Sequence, residues 1–221
     1  MFLDREDAAM QLAQKLGDYR HCNALVLAIP RGAIPMAKII ADQLGGELDV
    51  VLVRKLRAPH QPELAIGAID ETGWTHIAAH ARTAGISPPY LAAEIEHQLQ
   101  TIRQRRAQYT PAKPPIDPAG RTVIVVDDGL ATGETMIAAL HSVRQHRPKQ
   151  LVCAVPLAPA DTLEKVRALA DRVVCLEVPA DFQGVGQFYR HFPQLQDEEV
   201  LSLLRQGVKK ATLAGGGGEG A

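Results

Sequence analysis

RTVIVVDDGLATGETMIAAL, residues 121 to 140, decides how the rest of the chain is read. Val123, Ile124, Val125 and Val126 form an unbroken β-branched run, the pattern of a strand buried on both faces of a parallel sheet. Asp127 and Asp128 close that strand. Gly129, Leu130, Ala131, Thr132, Gly133, Glu134 and Thr135 then form a loop rich in small and hydroxylic residues, after which Met136, Ile137, Leu140 and Val143 recur at helical spacing. A turn that opens a helix points unpaired N–H groups and the positive end of the helix dipole outward, and the Thr132 and Thr135 hydroxyls add donors. That cradle suits a phosphate. Two ionised carboxylates beside it would repel a bare phosphate, so the pattern asks for a ligand that also brings hydrogen-bond donors, or for a divalent cation. A sugar phosphate with a vicinal diol fits. Its hydroxyls donate to the carboxylates, the loop holds its phosphate one sugar length away, and Mg²⁺ can bridge the diol side to further phosphates.

Outward from this centre, strands and helices alternate. Residues 24–29 are an uninterrupted apolar run ending at Pro30-Arg31-Gly32-Ala33, and residues 33–44 read as the following helix, closed by Gly45-Gly46. Residues 48–53 supply a second strand that runs directly into Arg54-Lys55-Leu56-Arg57. Residues 64–70 and 74–79 flank Glu71-Thr72-Gly73 as a hairpin that would cap a sheet edge. Residues 88–109 read as a long helix with Arg103, Arg105 and Arg106 in its C-terminal turns, where cations suit the dipole. Residues 151–155 and 173–176 are further strands, with a helix near 161–170 between them. An N-terminal helix spans 4–17. The alternation predicts an α/β fold built on a doubly wound parallel sheet. Residues 179–196 gather three of the four Phe residues and one Tyr, so a small hood is expected from the hairpin and this C-terminal segment. A last short helix spans 197–206. The expected organisation is one domain, 1–207, followed by a Gly-rich flexible tail, 208–221.

Bulk numbers limit the alternatives. The chain's 221 residues, 46% of them apolar, support one sizeable α/β core. Lys plus Arg number 24 and Asp plus Glu 25, so no global field favours nucleic acid or a membrane surface. Cys22, Cys153 and Cys175 are an odd set without CxxC spacing, which reads as small buried residues in a reducing compartment. The first residues are charged, and no apolar run approaches the ~18 residues of a membrane span. A cytoplasmic location is expected.

Residues 123–135 resemble the thirteen-residue signature of the type I phosphoribosyltransferases: four apolar residues, an acidic pair, then a short loop ending Ala-Thr-Gly-x-Thr. Gly129 departs from it, since the family usually carries an aliphatic residue there. DDG followed by an aliphatic residue and ATG recurs in a group of bacterial members whose acceptor is not established. The resemblance implies a Mg²⁺-dependent enzyme that transfers ribose 5-phosphate from phosphoribosyl pyrophosphate to a nitrogenous acceptor and releases pyrophosphate. By the same resemblance Asp127 and Asp128 hold the ribose diol and the metal, and the loop from Ala131 to Thr135, Glu134 included, holds the 5′-phosphate. Pro30-Arg31-Gly32-Ala33 resembles the pyrophosphate loop, which in the family often contains a non-proline cis peptide. Arg31, Gly32, Arg54 and Lys55 would meet the pyrophosphate, with Lys55 and Glu63 joining the acidic pair as catalytic residues. Residues 56–64 occupy the place of the mobile loop that closes over the oxocarbenium-like transition state, which makes Arg57, His60 and Glu63 candidates. The partners implied are a small-molecule acceptor and a second copy of the chain in a homodimer.

Ala131 stands where family members acting on 6-oxopurines tend to carry Asp, which argues against hypoxanthine and guanine as acceptors. His76 and His80 have helical ligand spacing but fall in an expected strand, which argues against zinc. No nucleophilic Cys/His/Asp constellation is assembled. Two other readings remain open: a regulator that binds phosphoribosyl pyrophosphate without turnover, and a hydrolase of a ribosyl phosphate.

Overall fold

The computed structural model describes residues 1–59, 61–79, 81, 85–112 and 114–214, with the backbone alone for 62, 63 and 207–214. In chain order its elements are α1 (Arg5–Lys15), β1 (Leu25–Ala28), α2 (Ala33–Leu44), β2 (Glu47–Val50), β3 (Val53–Ala58), β4 (Gln61–Asp70), β5 (Thr75–Ile77), α3 (Pro88–Tyr109), β6 (Thr122–Val126), α4 (Glu134–Gln145), β7 (Gln150–Leu157), α5 (Ala160–Arg167), β8 (Arg172–Glu177) and α6 (Asp197–Ala214). Five strands form a parallel sheet in the order β2-β1-β6-β7-β8, and β3-β4-β5 form a separate antiparallel sheet.

The apolar runs explain the parallel sheet. Side chains alternate across a strand, so an unbroken run feeds two cores at once. Val26, Ala28, Ile124, Val126, Val152 and Ala154 face one core with α1, α2 and the buried Val200 and Leu204 of α6. Leu25, Leu27, Val123, Val125, Leu151 and Cys153 face the other, with Met136, Ile137, Leu140 and Val143 of α4 and Leu163 and Val166 of α5. Helices thus cover both faces, as a doubly wound sheet requires. Asp4 caps α1 by accepting from the Asp7 N–H at 2.9 Å, the arrangement that satisfies an otherwise orphaned donor.

Four features differ from the sequence-based expectation. The second strand is broken: β2 ends at Val50, and Val53 already begins β3 in the other sheet. Residues 56–64, expected as a loop, are largely the paired arms of β3 and β4, with register shifts at Leu56/Arg57 and Arg57/Ala58. The expected hairpin exists as β4 and β5. Its turn is held by Asp70, whose Oδ1 accepts from the Thr72 N–H, the Thr72 hydroxyl and the Trp74 N–H. This hairpin extends the ribbon of β3 and packs on α4 and α3 instead of capping the parallel sheet. The last helix continues to Ala214, so the expected boundary at 207 falls inside it. Residues 215–221, half of the expected tail, lie outside the described residues.

The hood is tied across the chain. Phe2 pairs with Tyr189 as an isolated bridge, its N–H donating to the Phe188 carbonyl at 2.8 Å and its carbonyl accepting from the Arg190 N–H at 3.0 Å. Among the described residues no helix is long and apolar enough to cross a membrane.

Candidate active site

Sheet order reverses between β1 and β6: the chain leaves β1 toward β2 and leaves β6 toward β7. The loops after β1 and β6 therefore diverge and leave a crevice at the C-terminal ends of the strands, where open α/β sheets bind ligands. A cavity of about 280 Å³ lies there, lined by Pro30, Gly32, Lys55, Asp127, Asp128, Gly129, Ala131, Thr132, Gly133 and Thr135 of the expected set, together with Ile29, Leu130 and Val185. Thr132 and Gly133 lead into α4, with Gly133 as its N-cap, and Thr135 lies in its first turn; the Ile137 N–H donates to the Gly133 carbonyl at 2.9 Å. The preceding amides have no helical acceptor and remain available to an anion. The Pro30–Arg31 peptide is cis, as the resemblance led one to expect.

The acidic pair is held from a direction the sequence did not announce. Arg5, the first residue of α1, donates through Nε and Nη2 to Asp128 Oδ2 at 3.0 and 2.8 Å. Its Nη1 donates to the Pro193 carbonyl at 2.7 Å, and the guanidinium lies 3.8 Å over the Phe192 ring. Both partners are largely buried, with side-chain exposures of 11% and 17%. The Tyr189 hydroxyl donates to the Asp128 carbonyl at 2.7 Å, and the Asp128 N–H donates to Asp127 Oδ1 at 2.9 Å. Burial, followed by the neighbouring Asp128 charge, pushes Asp127 well above the usual carboxylate range against the pull of its backbone hydrogen bond, Lys55 and Arg5. Burial also raises Asp128, and Arg5 works against it. One carboxylate thus has a dedicated cation, while the other faces the cavity without one.

Two glycines are dictated by contact. A Cβ on Gly32 would stand 2.1 Å from Asp128 Oδ2, so the backbone of the loop after β1 can approach the carboxylate only without a side chain. Gly129 has φ of 151°, and a Cβ there would lie 2.8 Å from Val185 Cγ1. The departure from the family's aliphatic residue therefore has a local cause: this loop presses against the hood segment in a backbone conformation that favours glycine.

A second cavity of about 290 Å³ adjoins the first and shares Ile29, Pro30, Lys55 and Thr135 with it. Its walls carry Arg54, Lys55, Arg57 and Arg105. Arg54 Nε donates to Gln98 Oε1, Gln98 Nε2 donates to Glu94 Oε1 at 2.9 Å, and the same oxygen accepts from the Arg57 N–H at 3.0 Å. The Tyr90 hydroxyl adds a bond to the Arg57 carbonyl at 2.9 Å. The ribbon is docked on α3. Burial, then the charges of Arg105 and Arg57, push Arg54 below the usual guanidinium value, as expected of cations gathered without matching anions.

Other expected residues stand elsewhere. Arg31 turns outward and pairs with Asp197 at 3.3 Å. Arg54 lines the second cavity and not the first. Glu134 points away from the phosphate loop's cavity, its Oε2 lying 3.1 Å from His76 Nε2, because neighbouring helix positions are turned about 100° from each other. His60, His80 and the side chain of Glu63 lie outside the described residues. Sequence reasoning missed Arg5, Tyr189 and Phe192 and left Arg105 as a helix-end cation. Arg5 sits in a charged first turn, which ordinarily means a solvated face, and nothing local links it to residue 128.

The model of the Phosphoribosyl transferase domain matches residues 2–191. This chain belongs to that family. Two Mycobacterium tuberculosis proteins (strains CDC 1551 / Oshkosh and ATCC 25618 / H37Rv), each bearing the name "Putative phosphoribosyl transferase", are 39% identical over 216 residues, 97% of this chain and 49% of theirs. The chain spans about half the length of these curated relatives. The crystal structure of TT1426 from Thermus thermophilus superposes with a TM-score of 0.78 at 41% identity, covering 93% of this chain and 98% of that one. The phosphoribosyltransferase fold, central parallel sheet with an antiparallel hood hairpin, is thus shared with an experimentally solved relative.

Proposed function

We propose that this phosphoribosyltransferase domain transfers ribose 5-phosphate from phosphoribosyl pyrophosphate to a nitrogenous acceptor, with release of pyrophosphate. One observation carries the reading: an acidic pair and a helix-start phosphate cradle line one cavity, four cations line the walls of the adjoining one, and the two cavities share Lys55 and Thr135. These three kinds of group, amide and hydroxyl donors, carboxylates and cations, match the 5′-phosphate, the ribose diol and the pyrophosphate of the donor molecule.

The residues act mainly by position and field. The loop amides and the Thr132 and Thr135 hydroxyls bind the 5′-phosphate, and Asp127 accepts from the ribose hydroxyls. Asp128, fixed by Arg5, presents its carboxylate in one orientation. As the C1–O bond breaks, the electron pair leaves with pyrophosphate, whose growing charge meets Arg54, Lys55, Arg57 and Arg105. The acceptor nitrogen supplies the pair for the new C1–N bond, and its displaced proton passes to water. Among the described residues no cluster of three or more His, Cys, Asp or Glu side chains converges. Asp127 and Asp128 both line the cavity and are the carboxylates that would hold a Mg²⁺ there, with the ligand and water supplying the remaining oxygens. Bound there, the ion would neutralise diphosphate charge. A cytoplasmic homodimer accompanies this reading.

Calorimetric titration with phosphoribosyl pyrophosphate, with and without Mg²⁺, tests it on wild type and on the double variant Asp127→Asn, Asp128→Asn. Mg²⁺-dependent binding that the variant loses is the expected result, followed by an acceptor screen read by pyrophosphate release. Absence of binding to wild type overturns the proposal. Binding without turnover on any acceptor, water included, would instead assign the chain to the non-catalytic regulators.

A further inference from the structure

The loop between β6 and α4 offers a phosphate its amides, but every peptide unit that brings an N–H also brings a carbonyl. A carbonyl turned into the cavity would repel the anion that the amides attract, so an anion-binding loop needs its carbonyls drawn away. The structure shows where two of them go. The Gly133 carbonyl accepts from the Ile137 N–H of α4. The Ala131 carbonyl accepts from the Thr162 hydroxyl at 2.7 Å, a bond that reaches back 31 residues from α5.

Thr162 stands behind the loop. It is 2% exposed and does not line the cavity, whereas Ala131, Thr132 and Gly133 do. A Cβ on Gly133 would lie 2.9 Å from Thr162 Cγ2, so the threonine methyl packs directly against the loop backbone. A threonine hydroxyl ordinarily competes for backbone groups close to it in the chain. This one, on the third residue of α5, leaves its own helix, although the N-cap Pro159 supplies no side-chain capping bond there. One residue earlier in the loop, the Leu130 N–H donates to the Leu157 carbonyl of β7 at 2.9 Å, so the peptide that Thr162 grips is entered from a fixed point.

The direction of the Thr162 bond sets the direction of an amide. The Ala131–Thr132 peptide is trans, and in a trans peptide the carbonyl and the N–H point to opposite sides. With the carbonyl drawn back toward α5, the Thr132 N–H is turned toward the cavity. Among the described residues that N–H has no acceptor in the protein. We propose that Thr162 is a positioning residue for a phosphate monoester bound at this loop. Its hydroxyl holds one peptide with the carbonyl away from the anion and the N–H toward it, without touching the ligand itself. That the monoester is the 5′-phosphate of the ribosyl donor rests on the phosphoribosyl-transfer reading; the anion contact does not.

Two substitutions divide the side chain. Thr162→Val keeps the shape and the methyl and removes the hydroxyl, whereas Thr162→Ser keeps the hydroxyl and removes the methyl. Wild type and both variants are titrated calorimetrically, with Mg²⁺ present, against ribose 5-phosphate, phosphoribosyl pyrophosphate and inorganic pyrophosphate. Thr162→Val should bind the two phosphate monoesters about tenfold more weakly, the effect of misdirecting one amide bond to a charged group. It should bind pyrophosphate, which carries no monoester, within about twofold of wild type, because distant contacts contribute independently. Thr162→Ser should restore monoester binding to within about threefold, since the hydroxyl and not the methyl aims the amide. Monoester binding that Thr162→Val leaves intact, an equal loss in both variants, or a loss that extends equally to pyrophosphate overturns the proposal. If wild type binds phosphoribosyl pyrophosphate and Thr162→Val binds it equally, this role falls and the transfer reading stands. If wild type binds ribose 5-phosphate, Thr162→Val weakens it and phosphoribosyl pyrophosphate does not bind, the transfer reading falls and the role of Thr162 stands. A wild type that binds neither monoester overturns both.

Discussion

The carboxylates at the end of β6 and the cations along β3 are the two halves of one site, but they are held in opposite ways. Asp128 is buried against Arg5, its backbone is bonded by Tyr189, and Asp127 is pressed beside it. Arg54, Lys55 and Arg57 stand on a ribbon that docks on α3 through Gln98, Glu94 and Tyr90, and their charges face a basin with few anions. The parallel sheet thus fixes the part of the site where, in the proposed reaction, orientation matters most, the diol contacts. The ribbon gathers positive charge, whose field depends less on exact orientation.

The largest expected effect tests the locked half. Arg5→Met leaves Asp128 buried without its cation and should cost about 3–5 kcal/mol in denaturant unfolding. Adding Asp128→Asn should return a large part of that loss, since the stranded charge is then gone. Equal stability of Arg5→Met and wild type would mean that the pair is solvated and the contrast between the two halves is false.

A smaller effect, of opposite sign, belongs to Asp127. Its carboxyl is raised by burial and by Asp128, so the folded state holds a proton that the unfolded state gives up at lower pH. Stability from this group is therefore present below the ordinary carboxylate value and lost as pH rises toward the raised one. Asp127→Asn should unfold at a higher temperature than wild type at neutral pH and show a flatter decline of Tm between acid and neutral pH. A variant less stable than wild type at neutral pH would refute this assignment.

The smallest stability effect is expected on the ribbon side. Arg105→Ala, at a half-buried position of α3, should change unfolding by no more than about 1 kcal/mol. Pyrophosphate affinity should nonetheless fall by about 1 kcal/mol with a weaker salt dependence, measured by calorimetry at two ionic strengths. An unchanged affinity would remove Arg105 from the basin.

These halves also differ in how far the sequence disclosed them. Strands buried on both faces must be apolar throughout, so β1, β6 and β7 are visible as runs, and the loop after β6 follows from its own residues. β3 alternates Val53, Arg54, Lys55, Leu56 and Arg57, and Pro59 and Pro62 lie nearby, a composition that reads as a loop although pairing with β4 makes it a strand. Glu134 was legible as part of the loop but not as facing backward, because helix phase is set only once the start of α4 is known. Arg5 was hidden by distance along the chain, and tertiary contacts of that kind leave no local pattern. The turn after β1, by contrast, was located from four residues, and pairing of β1 with β6 puts it beside the acidic pair.

The bridge between Phe2 and Tyr189 has a consequence for the order of events during synthesis. A nascent chain can pair β1, β2 and β6 as each emerges, yet the wall that carries Phe192 and Tyr189 cannot close on the first residues until nearly the whole domain has left the ribosome. Asp127 and Asp128 thus spend that interval more open to water, and the wall around the acidic pair is completed as one of the last steps of folding.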